Sequence, residues 1–249
     1  MLFVTKQSRI VKINFLEACC YAPGYDSGYT THCNEAIVMS NSTIIEANKT
    51  NLNHLAGHAI FSVAMKKAKG KYIYILLIGE AALLLDLKDV EQQITQDFKL
   101  PTKISRSTIN PEDSYNPMRK QYHSTKILKE MLDEFPSDAL KMIGITSSDL
   151  FIPILTFVFG EAQLDGKVGI VSSARLQQEF YGLPPNEALL KRRLIKEIKH
   201  ELGHTFGIVH CSLRECVMSV ANNIADVDSK GISFCESCRE LLRHSSKRN

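Results

Sequence analysis

The sequence lacks any apolar run long enough to span a lipid bilayer, which takes about 20 consecutive apolar residues. It also lacks the apolar core and cleavage site of a secretory signal peptide, because its first twenty residues carry lysines and an arginine. Strong charge of one sign is absent too, since the formal net charge is only +3. We therefore expect a cytoplasmic protein, with neither a nucleic acid nor a membrane as its partner.

The composition is that of an ordinary globular protein, with 44% hydrophobic and 23% charged residues. A chain of 249 residues can bury one sizeable core and carry an appendage. Residues 1–64 show no sustained helix or strand period, and the sequence from Met65 looks like the beginning of a protein. We therefore treat residues 1–64 as an N-terminal extension of unknown role that supplies neither metal ligand nor core, and residues 65–249 as the domain proper.

Strands alternate with helices from residue 72 onward, which predicts an α/β sheet. Apolar or alternating runs predict strands at residues 72–78, 102–109, 142–146, 155–160 and 168–173. Helical spacing predicts helices at residues 88–98, from Asn116-Pro117 to 135, and from about 186 to 206. On the last helix we expect a solvated basic face, formed by Arg192, Arg193, Lys196 and Lys199.

The end of this long helix carries the run H-E-L-G-H-T-F-G-I-V-H. His200 and His204 are about one helical turn apart, so both imidazoles point the same way and Glu201 reaches the same space. Gly207 lets the chain turn at the end of the helix, because glycine tolerates the left-handed conformation that ends helices. The turn can bring His210 back toward the other two histidines. Three histidine nitrogens leave one tetrahedral position open, which is typical of a catalytic rather than a structural zinc.

An open zinc position binds water and lowers its pKa to roughly 7. Glu201 can accept the proton of that water as it attacks a carbonyl polarised by the same ion. The sequence thus predicts metal-assisted peptide hydrolysis, with Glu201 as general base. The alternative is a catalytically silent, zinc-stabilised binding module, which normally would have lost a ligand or the base, and neither is lost here.

Four cysteines follow at a spacing typical of a closed, structural zinc site: Cys211 and Cys216, then Cys235 and Cys238. Two disulfides or buried free thiols are the alternatives, but a reducing compartment favours thiolates that hold metal. A zinc-ribbon nucleic-acid binder would leave the three histidines unexplained. We therefore expect two zinc ions per chain, one catalytic and one structural.

The run from His200 to Cys238 resembles the archaemetzincins, a metzincin family of zinc metallopeptidases in which the third histidine leads into C-x-x-x-x-C-x-M and a later C-x-x-C. The resemblance covers about residues 71–240. It implies a metzincin-like single domain at residues 65–249, with a mixed sheet, a long active-site helix and a small zinc-stapled C-terminal subdomain. It also implies that Met218 lies in a tight turn beneath the catalytic metal. We expect a monomer that acts on a peptide or protein substrate.

The segment F-V-F-G-E-A also resembles archaemetzincins. In metzincins a strand at the upper edge of the sheet pairs with extended substrate, which is a general way to bind a peptide main chain. The resemblance implies this substrate-binding role for Phe157, Val158, Phe159, Gly160, Glu161 and Ala162. An ordinary edge or core strand is the alternative for this segment.

Overall fold

The computed structural model describes residues 71–79 and 87–248, together with two short antiparallel strands, β1 (Leu2–Val4) and β2 (Ile10–Lys12). The rest of the N-terminal extension predicted for residues 1–64 lies outside the described residues. Across the described part of the chain, no helix combines the length and the apolar character needed to cross a membrane.

The remaining described helices and strands are, in chain order, β3 (Tyr72–Ile78), α1 (Lys88–Phe98), β4 (Thr102–Arg106), β5 (Tyr115–Asn116), β6 (Gln121–His123), α2 (Ser124–Asp133), β7 (Ala139–Thr146), β8 (Leu150–Phe151), β9 (Gly160–Ala162), β10 (Val168–Ser172), α3 (Glu187–Thr205), α4 (Ile224–Ser229) and α5 (Glu236–Arg248). A five-stranded sheet has the order β4-β3-β7-β10-β9. Its first four strands are parallel, whereas β9 pairs antiparallel with β10 and forms one edge. The predicted mixed sheet is thereby confirmed.

Helices cover both faces of this sheet, which explains why β3 is almost continuously apolar. Alternate residues of a strand point to opposite faces. Ile73 and Ile75 join a core with α1 and α3, while Leu76 and Ile78 join a second core with α2. The strand at residues 72–78 and the helix at 88–98 were predicted with the bounds that the structure shows.

The helix predicted to begin at Asn116-Pro117 was wrong at its start, because α2 begins only at Ser124. The Asn116 side chain instead accepts hydrogen bonds from the backbone of Met118 and Arg119. Asparagine commonly stabilises turns in this way, and here the turn joins the antiparallel strands β5 and β6. The strand predicted at residues 155–160 was also misplaced, since β9 spans only Gly160–Ala162.

The basic face predicted for α3 is solvated only at Arg192; at Arg193, Lys196 and Lys199 the prediction was wrong, because these three are buried. Residues 224–234 cover this side of the helix. Polar groups of this segment contact all three buried cations: Arg193 pairs with Asp228, Lys196 donates to the carbonyls of Val227 and Asp228, and Lys199 donates to the carbonyl of Ile232. The closest partner of Lys199 is Asp97 of α1, at 2.6 Å. The C-terminal segment is therefore bound to α3 by buried polar contacts as well as apolar ones.

Candidate functional site

Helix α3 carries the first two histidines of the motif into the protein interior. Asn186 caps its first turn by accepting a hydrogen bond from the Leu189 backbone, and the helix ends at Thr205. Gly207 then adopts a left-handed conformation with φ of 84°, as predicted from the sequence. This turn brings the His210 ring within 5.2 Å of the His200 ring, measured between centroids.

Backbone carbonyls fix which nitrogen of two histidine rings faces the centre of the cluster. The Nδ1 of His200 lies 2.9 Å from the carbonyl oxygen of Val217, and the Nδ1 of His204 lies 2.7 Å from that of Ile208. A carbonyl oxygen only accepts, so each ring donates from Nδ1 and keeps a lone pair on Nε2.

The three histidines have a geometry that fits a zinc ion. The Nε2 atoms of His200 and His204 are 3.1 Å apart, and the ligand atoms of all three histidines lie within 4.8 Å of one another. A tetrahedral zinc with bonds of roughly 2.0 Å would place its ligand nitrogens about 3.3 Å apart. His200, His204 and His210 could therefore hold one zinc ion with little rearrangement.

Burial keeps these imidazoles neutral, which is the form that binds metal. Burial lowers the pKa of His200 well below its ordinary value, with further lowering by the Lys230 ammonium. Burial lowers the pKa of His204 to about 3, with a smaller effect from His210. The pKa of His210 is lowered to about 4, again by burial first and then by Lys230.

Glu201 lies beside the histidines, and its carboxylate rests against the edge strand β9. A Cβ atom on Gly160 would lie 2.7 Å from Oε1 of Glu201 and 2.6 Å from the Ile170 carbonyl oxygen. A Cβ atom on Gly169 of β10 would lie 3.4 Å from Cβ of Glu201. Two glycines thus make room for this side chain. Burial, followed by the neighbouring Glu197, raises the pKa of Glu201 well above its ordinary value.

These groups open into a cleft with a volume of about 90 Å³. All six residues predicted to bind substrate line it, at 157–162, together with residues 220–222. Within the described five-stranded sheet, β9 has a strand neighbour on one side only. The buried carboxylate of Glu161 accepts hydrogen bonds from Ser124 and Thr125 at the start of α2, which fixes the edge strand to that helix.

Met218, which the resemblance places in a tight turn beneath the catalytic metal, packs against the catalytic helix α3. It is fully buried, and a Cβ atom on Gly203 would lie 2.5 Å from its Sδ atom. The backbone turns tightly here, since Ser219 donates its N–H to the carbonyl of Cys216. The thioether packs against α3 between the turns that carry the two helical histidines, where a soft, apolar side chain fills the gap.

The four cysteines form a second cluster. Their Sγ atoms lie within 4.8 Å of one another, and Sγ of Cys211 and Sγ of Cys235 are 3.8 Å apart. Ligand sulfurs on a tetrahedral zinc with bonds of about 2.3 Å would be separated by about 3.8 Å. A disulfide would require about 2.05 Å. Cys211, Cys216, Cys235 and Cys238 therefore fit a zinc ion better than the two-disulfide alternative.

Sequence reasoning missed a buried ion pair beside this cleft. Glu197 lines the cleft one helical turn before Glu201, and its Oε1 lies 2.7 Å from Nζ of Lys230. Both side chains are less than 5% exposed. The i, i+4 spacing of Glu197 and Glu201 could have drawn attention to the first of these residues. Nothing in the local sequence indicates that Lys230 returns to the same place.

The sequence profile of peptidase family M54 matches residues 69–244 of this chain. The archaemetzincin of Methanocaldococcus jannaschii is 46% identical over 133 residues, which cover 53% of this chain and 72% of that relative. The archaemetzincin of Methanopyrus kandleri is 35% identical over 179 residues, covering 72% of this chain and 98% of the relative.

Solved structures give the same assignment. The crystal structure of the M. kandleri archaemetzincin aligns with a TM-score of 0.64 at 34% identity, over 74% of this chain and 99% of that one. A zinc-dependent peptidase from Methanocorpusculum labreanum aligns with a TM-score of 0.62 at 31% identity, over 68% of this chain and 99% of its own. The family profile and these relatives together show that the chain belongs to peptidase family M54, the archaemetzincins.

Proposed function

We propose that this zinc metallopeptidase cleaves peptide bonds in the cleft beside α3, with zinc held by His200, His204 and His210 and with Glu201 as general base. The observation that carries the proposal is the convergence of three neutral imidazoles next to a buried carboxylate. A catalytically silent binding module would have no use for that carboxylate, which is costly to bury. Peptide or protein chains are the substrates of the family.

Bound zinc would polarise the substrate carbonyl and make water more acidic at the same point. Glu201 accepts a proton from the attacking water and can return it to the leaving amine. Its raised pKa suits both steps, because a carboxylate buried in a low-dielectric cleft is a stronger base than one in water. Because Gly160 and Gly169 have no Cβ, this side chain can lie directly against the sheet at the cleft.

The edge strand β9 supports a role in holding the substrate main chain. Within the described five-stranded sheet β9 is an edge strand that pairs only with β10, and an extended peptide can add to such an edge as a further strand. We assign this role to the same six residues, 157–162. Peptides of one sequence with an acetylated or a free N-terminus distinguish endopeptidase from aminopeptidase activity. Cleavage of internal bonds in the acetylated peptides would exclude an obligate aminopeptidase.

We further propose that the cysteine cluster holds a structural zinc that supports the catalytic one. Cys211 follows His210 directly, and its backbone N–H donates to the carbonyl of Met218. Val217, in the same segment, accepts the hydrogen bond that orients His200. An ion that fixes this segment therefore also fixes two elements of the histidine site.

Metal counting tests the supporting role. Replacing Cys235 and Cys238 by serine should remove one zinc and weaken binding of the other, whereas His210→Ala should remove only the catalytic ion. If the double cysteine variant retains a fully occupied and equally tight histidine site, the supporting role is wrong.

Incubation of the purified protein with a complex peptide library tests the reaction itself, with Glu201→Ala as the matched control. We expect the wild-type protein to cleave and the variant to bind zinc without cleaving. If both retain zinc and neither cleaves any peptide, the assignment of these residues fails.

A further inference from the structure

The wall of the cleft is formed by an irregular segment whose shape must be maintained by something other than a sheet. Residues 152–159, here called the cleft wall, connect β8 to β9 and belong to neither strand. Ile152, Leu155 and Phe157 of this segment line the cleft. Its backbone meets β8 in a single isolated bridge, between Val158 and Leu150. A segment with so few ladder hydrogen bonds depends on side chains for its order.

Arg119 supplies part of that order from the adjacent turn. One of its guanidinium nitrogens, Nη2, donates to the carbonyl of Leu155 at 2.6 Å and to that of Thr156 at 3.0 Å. The Cζ atom of Arg119 also lies 4.3 Å from the centroid of the Phe151 ring, and Nε donates to Gln121 at 3.2 Å. Arg119 thereby satisfies two carbonyls that, in a regular strand, would accept hydrogen bonds from a neighbouring strand.

Arg175 contacts the same segment through Phe157. Its guanidinium lies 4.3 Å from the ring centroid of Phe157 and 4.7 Å from that of Phe180. Two nitrogens of this guanidinium donate to the carboxylate of Asp149, at 2.6 and 2.8 Å. The side chains of Arg175 and Asp149 are 23% and 19% exposed, so solvent screens this paired arrangement only in part.

The two arginines belong to one network, because Gln121 also donates to Asp149 at 3.0 Å. We call this network the arginine bracket; its members are Arg119, Gln121, Asp149 and Arg175. Neither arginine lines the cleft or belongs to the histidine cluster.

We propose that Arg119 and Arg175 are positioning residues that hold the cleft wall in the shape that receives the substrate. The proposal rests on the peptidase function proposed above. Because the wall presents the apolar side chains of Ile152, Leu155 and Phe157, it favours substrates with an apolar side chain at the adjoining position. Without the bracket, substrate binding would have to order the wall, and that cost reduces affinity rather than the rate of the chemical step.

The test compares Arg119→Met with Arg106→Met, a matched loss of an exposed arginine at the opposite edge of the sheet. The best apolar peptide from the library serves as substrate. We expect Arg119→Met to raise KM about tenfold, which corresponds to about 1.4 kcal/mol, with kcat and zinc content nearly unchanged. Arg106→Met should leave all three values unchanged.

Arg119→Lys provides a second variant, which preserves the positive charge and perturbs the fold less than Arg119→Met does. A lysine ammonium cannot stack on Phe151 and bond to Gln121 and two carbonyls together, so KM should again rise, by a smaller factor. An unchanged KM in both variants, or a loss confined to kcat, would overturn the proposal.

Amide hydrogen exchange gives a readout that does not depend on activity. The Val158 amide donates to Leu150 across the base of the cleft wall. In both Arg119 variants this amide should exchange at least several times faster than in the wild-type protein, with no change in the amides of β7. If the Val158 amide exchanges at the same rate in the variants and in the wild-type protein, the role of the arginine bracket is refuted, even if the protein cleaves no peptide. A failure of this proposal can therefore be told apart from a failure of the proposed peptidase function.

Discussion

Lys141 reaches from β7 to the C-terminal end of the catalytic helix, and its titration should be visible in the stability of the protein. Its ammonium donates to the carbonyl of Thr205 at 2.8 Å and to that of Gly166 at 2.7 Å. The side chain is 4% exposed, and burial lowers its pKa from 10.5 to about 8, against a smaller raising effect of Asp165. A neutral amine still has two N–H groups, so deprotonation preserves both hydrogen bonds.

The direction in which stability changes with pH follows from the number of protons that the folded and unfolded states bind. Between pH 8 and pH 10.5 the unfolded chain holds this proton while the folded chain has released it. Stability rises with pH wherever the unfolded state binds more protons, so the contribution of Lys141 should become more favourable across this window. The difference between the folded and unfolded pKa values of Lys141 corresponds to about 3 kcal/mol, because each pKa unit corresponds to about 1.4 kcal/mol. Below pH 8 both states are protonated and the contribution is constant.

Urea unfolding followed by circular dichroism, in zinc-buffered solutions from pH 7 to pH 10.5, measures this effect. Lys141→Met is the reference, because every other titrating group is present in both proteins and cancels in the difference. We expect the free energy of unfolding of the wild-type protein, relative to the variant, to increase by about 3 kcal/mol over this range. A difference that stays flat, or that falls as the pH rises, would refute the reasoning.

Three further predictions concern the cleft and the extension. Gly160→Ala should retain zinc but lose at least about tenfold in kcat, because the added methyl group displaces Glu201; unchanged kinetics would contradict the close contact. Lys230→Met leaves Glu197 buried and unpaired, which should lower the free energy of unfolding by about 3–5 kcal/mol, and adding Glu197→Gln should restore most of it in the same urea titration. A chain that begins at Met65 should bind zinc and melt like the full chain; a drop of about 5 °C or more on truncation would count against this.

The histidine cluster was predictable because its geometry is set by neighbours in sequence. One helix places His200, Glu201 and His204 by its own period, and Gly207 marks the turn that returns His210. The cysteine cluster was predictable for a related reason, since metal-ligand spacing within each pair is short. The strand at residues 72–78 was found because burial on both faces gives a continuous apolar run.

Other features depend on which distant segment covers a residue, and local patterns contain no information on this. Lys196 and Lys199 look like surface residues on a helical wheel, yet both are buried: residues 224–234 supply carbonyls to both, and Asp97 of α1 pairs with Lys199. The arginine bracket joins residues from separate turns and strands, so no spacing reveals it. Asn116 could start either a helix or a turn, and the pairing of β5 with β6 decided for the turn.

The rate of peptide cleavage by zinc-loaded Glu201→Gln, measured beside the zinc-loaded wild-type protein, tests the central claim most directly. Glutamine has the size and shape of glutamate but accepts no proton, so the cleft and the metal site should remain intact. We predict the same zinc content in both proteins and a kcat lower by at least about 100-fold in the variant. A zinc-loaded variant that cleaves within a few-fold of the wild-type rate would contradict the assignment of Glu201 as the general base.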